Sequence, residues 1–311
     1  MGLTENVQGI YNSFAGIKAA IEDKGVTVPA NTPVTGYAEL IDDIPTGGGG
    51  VIDASADWSY MFANNKRLDL VNSIGNRSSH VTDWQYCFNS STNLTSITTP
   101  FDMSSAQDCS YMFNGCRNLT SIGALDLSNI EKAENMFYNC SNLEFTSVLD
   151  LSGLTGTNPV RHTFMYGGKR DTSIDIYLPS TVDINSMFRG CYFNEINIVS
   201  STKVTNLSFT FSTANRLTTI TGLDLSECTT YSSAFSTNHP LENISFAAGS
   251  TIADHAISFS GCANLTHTSL MNIINALCTG ASSTCTLGSA NLAKLTAEEQ
   301  AIATAKGWTL A

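Results

Sequence analysis

Tyr111-Met112-Phe113-Asn114-Gly115-Cys116-Arg117-Asn118-Leu119-Thr120-Ser121-Ile122 is the clearest copy of a phrase that recurs through residues 51–267. Its anchor is a phenylalanine, repeated at Phe62, Phe88, Phe113, Phe137, Phe164, Phe188, Phe211, Phe235 and Phe259, at intervals of 26, 25, 24, 27, 24, 23, 24 and 24 residues. Six residues after the anchor stands a leucine, at Leu68, Leu94, Leu119, Leu143, Leu217, Leu241 and Leu265. Three residues after it stands a small residue, which is Cys116, Cys140, Cys191 or Cys262 in four copies. A unit of this length carries one apolar face and cannot bury it alone. The copies must therefore stack around a shared core, as in repeat proteins.

Within a unit, Leu119-Thr120-Ser121-Ile122 and Leu125-Asp126-Leu127 alternate apolar and polar residues and predict a short strand region. The stretch Gln107 to Cys116 crowds Met, Tyr and Phe together and predicts one turn of α or 3₁₀ helix on the opposite wall. The expected fold is an α/β repeat: a leucine-rich-repeat solenoid of about nine coils, each of about 25 residues. A small helical N-terminal module and an α+β C-terminal cap flank it. The divisions are 1–46 for the module, 47–50 for a glycine linker, 51–267 for the solenoid and 268–311 for the cap.

The phrase Val81-Thr82-Asp83-Trp84…Phe88, and the Met-Phe-x-x-Cys-x-x-Leu of the third and fourth copies, resemble the BspA-like leucine-rich repeats of bacterial surface proteins. The resemblance covers roughly residues 51–267 and falters where Arg170 and Asn194 replace the leucine. It implies adhesion rather than a reaction.

The flanks differ from the repeats. Val7, Ile10, Phe14, Ile17 and Ile21 step by three, four, three and four residues, a short heptad seam that ends at Gly25. Two readings of that seam stand side by side: an amphipathic helix packed on its own neighbour, or the oligomer and docking interface of a small dimeric or trimeric bundle. The run from Ile17 to Pro29, followed by Tyr37 to Pro45 and the tetraglycine Gly47 to Gly50, resembles a segment of bacteriophage structural and fibre proteins. That resemblance implies a virion fibre or receptor-binding protein at the particle surface, a homotrimer held to other virion proteins by its N-terminal module. Its host ligand would be a surface glycan or protein. The alternatives are a BspA-like adhesin on a bacterial cell surface, or a purely structural capsid or tail decoration protein. Met1 is followed by neither a basic stretch nor an apolar run, so no signal peptide and no membrane insertion are expected. At the other end, Thr268 or Ser269 is expected to cap a helix, and Thr296-Ala297-Glu298-Glu299 reads as a capping box.

Most residues that look like chemistry fall into the repeat columns. The net charge of −12 argues against nucleic acid, which rewards clustered Lys and Arg. The cysteines follow the repeat and read as free core thiols, and no metal-ligand spacing or cofactor fingerprint is present, so no cofactor is expected. No hydrolase, metalloprotease or phosphate-binding motif occurs, and Asp126, Asp150 and Asp224 share one column thirteen after the anchor, as turn residues do. The protein is therefore expected not to be an enzyme. Asn93, Asn118, Asn142 and Asn264 read as a ladder satisfying backbone groups between coils, and Tyr60, Tyr86, Tyr111 and Phe209 as a stack in or near the core. Residues that break the pattern are the candidates for receptor contact: Tyr166, Lys169, Arg170, Tyr192 and Phe193, mixing aromatic and cationic character. A locally repacked loop over a defect in the stack is the other reading of the same residues.

Overall fold

The structure, a computed structural model, describes residues 17–18, 57–64, 78–98, 101–123, 125–127, 129–155, 159–237 and 240–311. Val7, Ile10, Phe14 and Ile21 of the expected seam lie outside the described residues, as do the 47–50 linker and the rest of the 1–46 module apart from Ile17 and Lys18. Those two residues are helical and half-buried.

All nine anchor phenylalanines stack on their neighbours in sequence order. Successive ring centroids lie between 4.6 Å (Phe235 and Phe259) and 6.0 Å (Phe188 and Phe211) apart. From Phe88 onward every anchor ring is almost wholly buried. Removing such a ring from water contributes about 1.5–3 kcal/mol, and the offset stacking adds to it. The column leucines Leu94, Leu119, Leu143, Leu217, Leu241 and Leu265 line the same core.

The segment around each anchor is not a helical turn. In the second copy the N–H groups of Tyr86, Phe88 and Ser90 donate to Ser110, Met112 and Asn114 of the next copy, at 3.0, 2.9 and 2.7 Å. The intervening N–H groups of Cys87, Asn89 and Ser91 donate back three residues, to Trp84, Tyr86 and Phe88. Alternate peptides thus point along the stack and within the turn. A helix cannot do this, because it directs every N–H into its own segment. The switch is made by left-handed residues two before and two after the anchor: Tyr86 at φ 56° and Ser90 at φ 57°, with Asn135 and Asn139 at φ 54° and 58°. Each left-handed conformation costs roughly 1–2 kcal/mol. Satisfying otherwise buried backbone groups from the neighbouring copy offsets that cost.

Five of the turn walls are entered through an acidic or amide side chain. Oδ1 of Asp57, Asp83, Asp108, Asp183 and Asn206 accepts the N–H two residues on, at 2.8, 2.9, 3.0, 2.8 and 2.9 Å. These are Asx turns, the local bond that makes Asp and Asn good turn starters. The same column forms parallel bridges from Asp57 to Asp83, to Asp108 and to Lys132.

Strands form the other walls. β1 (Leu149–Asp150), β2 (Ser173–Tyr177), β4 (Glu195–Ile198), β6 (Thr219–Leu223) and β7 (Asn243–Phe246) make a parallel five-stranded sheet in that order. β3 (Thr181–Asp183) and β5 (Lys203–Asn206) pair in a second parallel sheet. Along β2 and β4, Ile174, Ile176, Ile196 and Ile198 point inward while the residues between them face out. In the earlier copies the expected strand shrinks to single bridges such as Ser96 to Ser121.

Toward the C-terminus β8 (Ile257–Ser258) is followed by α1 (His267–Ala276), β9 (Thr284–Thr286), α2 (Ser289–Leu292), α3 (Ala297–Ala305) and β10 (Thr309–Leu310). Strands β10, β9 and β8 pair in parallel. α1 buries Leu270, Ile273 and Ile274, and its N-cap is Thr266, whose hydroxyl accepts from the Ser269 N–H. The cap therefore stands two residues before Thr268, because Thr266 also bonds back to the Glu242 carbonyl and is fixed by the preceding copy. Thr296 and Glu299 form the expected capping box. Trp308 is buried and donates its indole N–H to the Cys278 carbonyl at 2.9 Å.

Candidate recognition surfaces

The two irregular copies, anchored at Phe164 and Phe188, divide the predicted contact residues between core and surface. Phe193 is fully buried, with its ring 6.2 Å from Phe145 and 6.0 Å from Phe164. It is not a contact residue. Asn194 stands where other copies place the leucine and cannot fill an apolar site, so the ring one position earlier does so. Lys169 is exposed and ion-paired with Glu144, a surface pair of the kind that contributes about 0–1 kcal/mol. The Arg170 guanidinium lies over the Tyr192 ring, 5.6 Å from its centroid. Tyr166 is apart from these, on the turn wall, edge-on to Tyr138 at 6.0 Å.

Beyond Tyr166 the turn wall carries a pairing that repeat logic conceals. Phe209 belongs to the column of Tyr60, Tyr86 and Tyr111, yet it is 39% exposed. Arg189 lies over its ring, 5.7 Å from the centroid. The signal was available in the sequence, since Arg189 falls inside the irregular stretch. Its partner is a ring expected in or near the core. The three tyrosines stack with centroids 4.5 Å apart and planes 4° and 9° from parallel. They are half-buried, a stack near the core as expected, and burial pushes each phenol above its ordinary range.

The outward row of the five-stranded sheet is a polar ladder. Asn197 donates to Asp175 Oδ1 at 2.8 Å and accepts from the Thr221 hydroxyl at 2.6 Å. Tyr177 at the end of β2 and Val199 just past the end of β4 stand exposed, at 41% and 45%. Asp150 and Asp224 each accept an N–H two residues on, from Ser152 at 2.9 Å and Ser226 at 3.0 Å, so both are engaged in turns. Asn118 and Asn142 donate to the Thr92 and Arg117 carbonyls of the preceding copies, both at 2.7 Å, which is the predicted ladder.

The nine cysteines are free, and all except the half-buried Cys278 are buried. Burial pushes the Cys116, Cys191, Cys262 and Cys285 thiols up to about 12. A thiol so shifted is neither nucleophile nor metal ligand at neutral pH. Instead, the Cys116 and Cys140 thiols donate to the Phe88 and Phe113 carbonyls, each at 3.0 Å. Among the described residues no group of three His, Cys, Asp or Glu side chains is placed to hold a metal, and no helix is long and apolar enough to cross a membrane.

Two family models match different parts of the chain. Residues 174–301 match the BspA type Leucine rich repeat region, a model of six copies. Residues 56–157 match Mycoplasma protein of unknown function, DUF285. No curated protein and no solved structure matches. The chain thus carries a leucine-rich-repeat region of the BspA type, and that match runs past Asn264 through α1 into α3.

Proposed function

We propose that this protein is a non-enzymatic surface adhesin, a continuous solenoid of about nine coils whose outer walls bind a host surface glycan or protein. The observation that carries the reading is the BspA-type match over residues 174–301, joined to walls whose backbone groups are satisfied within the stack and whose outward rows are polar. Such a body is rigid and presents the same surface at every copy, which suits recognition more than chemistry. Asp150 and Asp224, the carboxylates that recur in one column, serve turns; a glycosidase would need a pair free to act on the two sides of a sugar bond.

The bacterial cell surface is the preferred setting. The competing setting, a virion fibre docked through residues 1–46, draws its support from a stretch of which only Ile17 and Lys18 are among the described residues, and the match beside it, over 56–157, is to a Mycoplasma family. A homotrimer belongs to that competing setting. Binding of the labelled full chain to animal cells and to bacteria separates the two. Saturable binding to animal cells is expected. Binding to bacteria alone favours the fibre, and binding to neither overturns recognition altogether. Incubation with surface polysaccharides should leave their chain length unchanged.

A further inference from the structure

The outward side of the five-stranded sheet carries a row of side chains that fix one another and still meet the solvent. Asn197 donates to Asp175 Oδ1 at 2.8 Å and accepts from the Thr221 hydroxyl at 2.6 Å, across β2, β4 and β6. All three are half-buried, so each keeps part of its surface open. Their mutual bonds determine what hydrogen-bonding capacity is left over. Asp175 Oδ2 has no partner among the described residues, the second amide hydrogen of Asn197 is unused there, and the Thr221 oxygen keeps its lone pairs. Across the strands the order is acceptor, donor, acceptor, at the strand spacing of about 4.8 Å.

Apolar groups border this row. Tyr177 stands two residues beyond Asp175 on β2, hence on the same face, and is 41% exposed. Asp150 of β1 is its partner in register. On the other side the Val199 N–H donates to the Ile176 carbonyl at 3.0 Å, which carries the pairing of β2 and β4 one residue past the end of β4. Val199 is 45% exposed, and Val148, directly before β1, 41%. Three of the six large apolar side chains exposed among the described residues thus stand on or at the ends of β1, β2 and β4. Apolar groups gathered on one wall mark an interaction surface, as singly scattered ones do not. The charges here have one sign: Asp150, Asp175 and Glu195 belong to the five strands, which hold no lysine or arginine. Such a face repels carboxylated and sulfated ligands.

We infer that this face binds an uncharged oligosaccharide, with Asp175, Asn197 and Thr221 bonding its hydroxyls and Tyr177 stacking on the C–H face of one ring. The site rests on the adhesion reading above and narrows its ligand to neutral glycans. A sugar hydroxyl both donates and accepts, so a chain of them meets alternating acceptors and donors, while the apolar faces of its rings suit an aromatic side chain. The row spans about 10 Å along the stack, which suits linked rings better than a single terminal sugar. A basic protein segment is the competing occupant. The alternating row favours the sugar, since ammonium and guanidinium groups donate only.

Titration of the full chain with cellotetraose, maltotetraose, mannotetraose and lacto-N-tetraose, and with sialyllactose and oligogalacturonate as carboxylated counterparts, tests the site. At least one neutral sugar should bind, at least about tenfold more tightly than either carboxylated one, a difference in dissociation constant that titration resolves readily. Tyr177→Ala should weaken that binding about tenfold, whereas Tyr177→Phe, which keeps the ring, should stay within about threefold of the parent. Asn197→Ala should weaken it severalfold, and Ile302→Ser, at an exposed position of α3, should leave it unchanged. Should Asn197→Ala lower the melting temperature, the two Tyr177 variants alone decide. Binding of none of the neutral sugars, equal or tighter binding of a carboxylated one, or unchanged affinity in Tyr177→Ala would overturn the site. Polylysine binding that is lost in Tyr177→Ala, with no sugar bound, would also overturn it and assign the face to a basic partner. If Tyr177→Ala still binds animal cells as the parent chain does, the site fails and adhesion stands. If the parent chain binds no cell, adhesion itself fails.

Discussion

The ring of Phe193 lies so close to Gly168 that a Cβ built on the glycine would stand 2.6 Å from it, and Gly168 holds φ at 86°. The glycine is required twice, once for its left-handed backbone and once for the space the ring fills. Phe193 in turn replaces the leucine missing from its own copy. Gly168→Ala should therefore destabilise the chain by more than the roughly 1–2 kcal/mol of a left-handed alanine, and Phe193→Ala by about 3–5 kcal/mol. Urea unfolding measures both. A loss below about 1 kcal/mol for Phe193→Ala, within the range of ordinary surface changes, would show that the ring does not fill the core there.

The cysteine column makes a different prediction. Ser91 occupies the same position as Cys116 and donates to the Phe62 carbonyl at 2.8 Å, as Cys116 does to that of Phe88. Cys116→Ser should retain that bond and cost little, whereas Cys116→Val leaves the acceptor to its in-turn partner alone and adds bulk, at about 1–3 kcal/mol. In the folded chain a thiol reagent should modify Cys278 first, the others reacting only as the chain unfolds. Rapid modification of Cys116 without denaturant would contradict its burial.

Backbone handedness sets the tolerance at Tyr86, which sits at φ 56° in the column where Asn135 holds 54°. Tyr86→Asn should keep the backbone and lose the two stacking contacts, each worth about 0.5–1.5 kcal/mol, together with the phenol hydrogen bonds to Tyr60 and Tyr111. Tyr86→Val places a β-branched residue in the left-handed region and should cost more. The ranking of the two melting temperatures is the test; a more stable valine variant would sink the argument.

Asp83 gives the pH dependence. Burial above all, with the charges of Asp57 and Asp108 adding to it, raises its carboxyl above the ordinary value, against the opposing Gln85 N–H. The folded chain therefore holds this proton more tightly than the unfolded chain. The resulting stabilisation is full below the unfolded value of about 3.9 and is lost as pH rises through the raised value. At neutral pH the charged form is the disfavoured one. Asn206 shows that an amide can accept the same turn N–H, at 2.9 Å. Asp83→Asn should thus stabilise the chain at neutral pH and give no gain near pH ~3. A gain of equal size at both pH values would place its origin outside this titration.

Much of the stack was legible because burial of one apolar face imposes a single period on every residue that helps bury it. Phe113, Cys116 and Leu119 announced the core, and Asn118 announced the ladder. Phe193 misled because composition alone cannot tell a ring that breaks a pattern from a ring that repairs one. Phe209 is more exposed than its column implied, since sharing a column with half-buried tyrosines does not decide how far a ring is covered. The Asx ladder of Asp57, Asp83 and Asp108 was visible as a recurring acid, but its partner is a backbone N–H and leaves no trace in side-chain identity.

By itself the sequence determined that this chain stacks, which residues line its core, and that its cysteines are packing groups, since period and residue size settle those matters locally. Only the tertiary structure decided the path of each turn. The left-handed residues beside the anchors are Tyr, Asn, Ser, His, Phe and Thr as readily as Gly, so no residue type marks them; the demand comes from the neighbouring copy, whose carbonyls must be met by alternate N–H groups. The same is true of Arg189, which is one isolated cation until the next copy brings Phe209 beneath it.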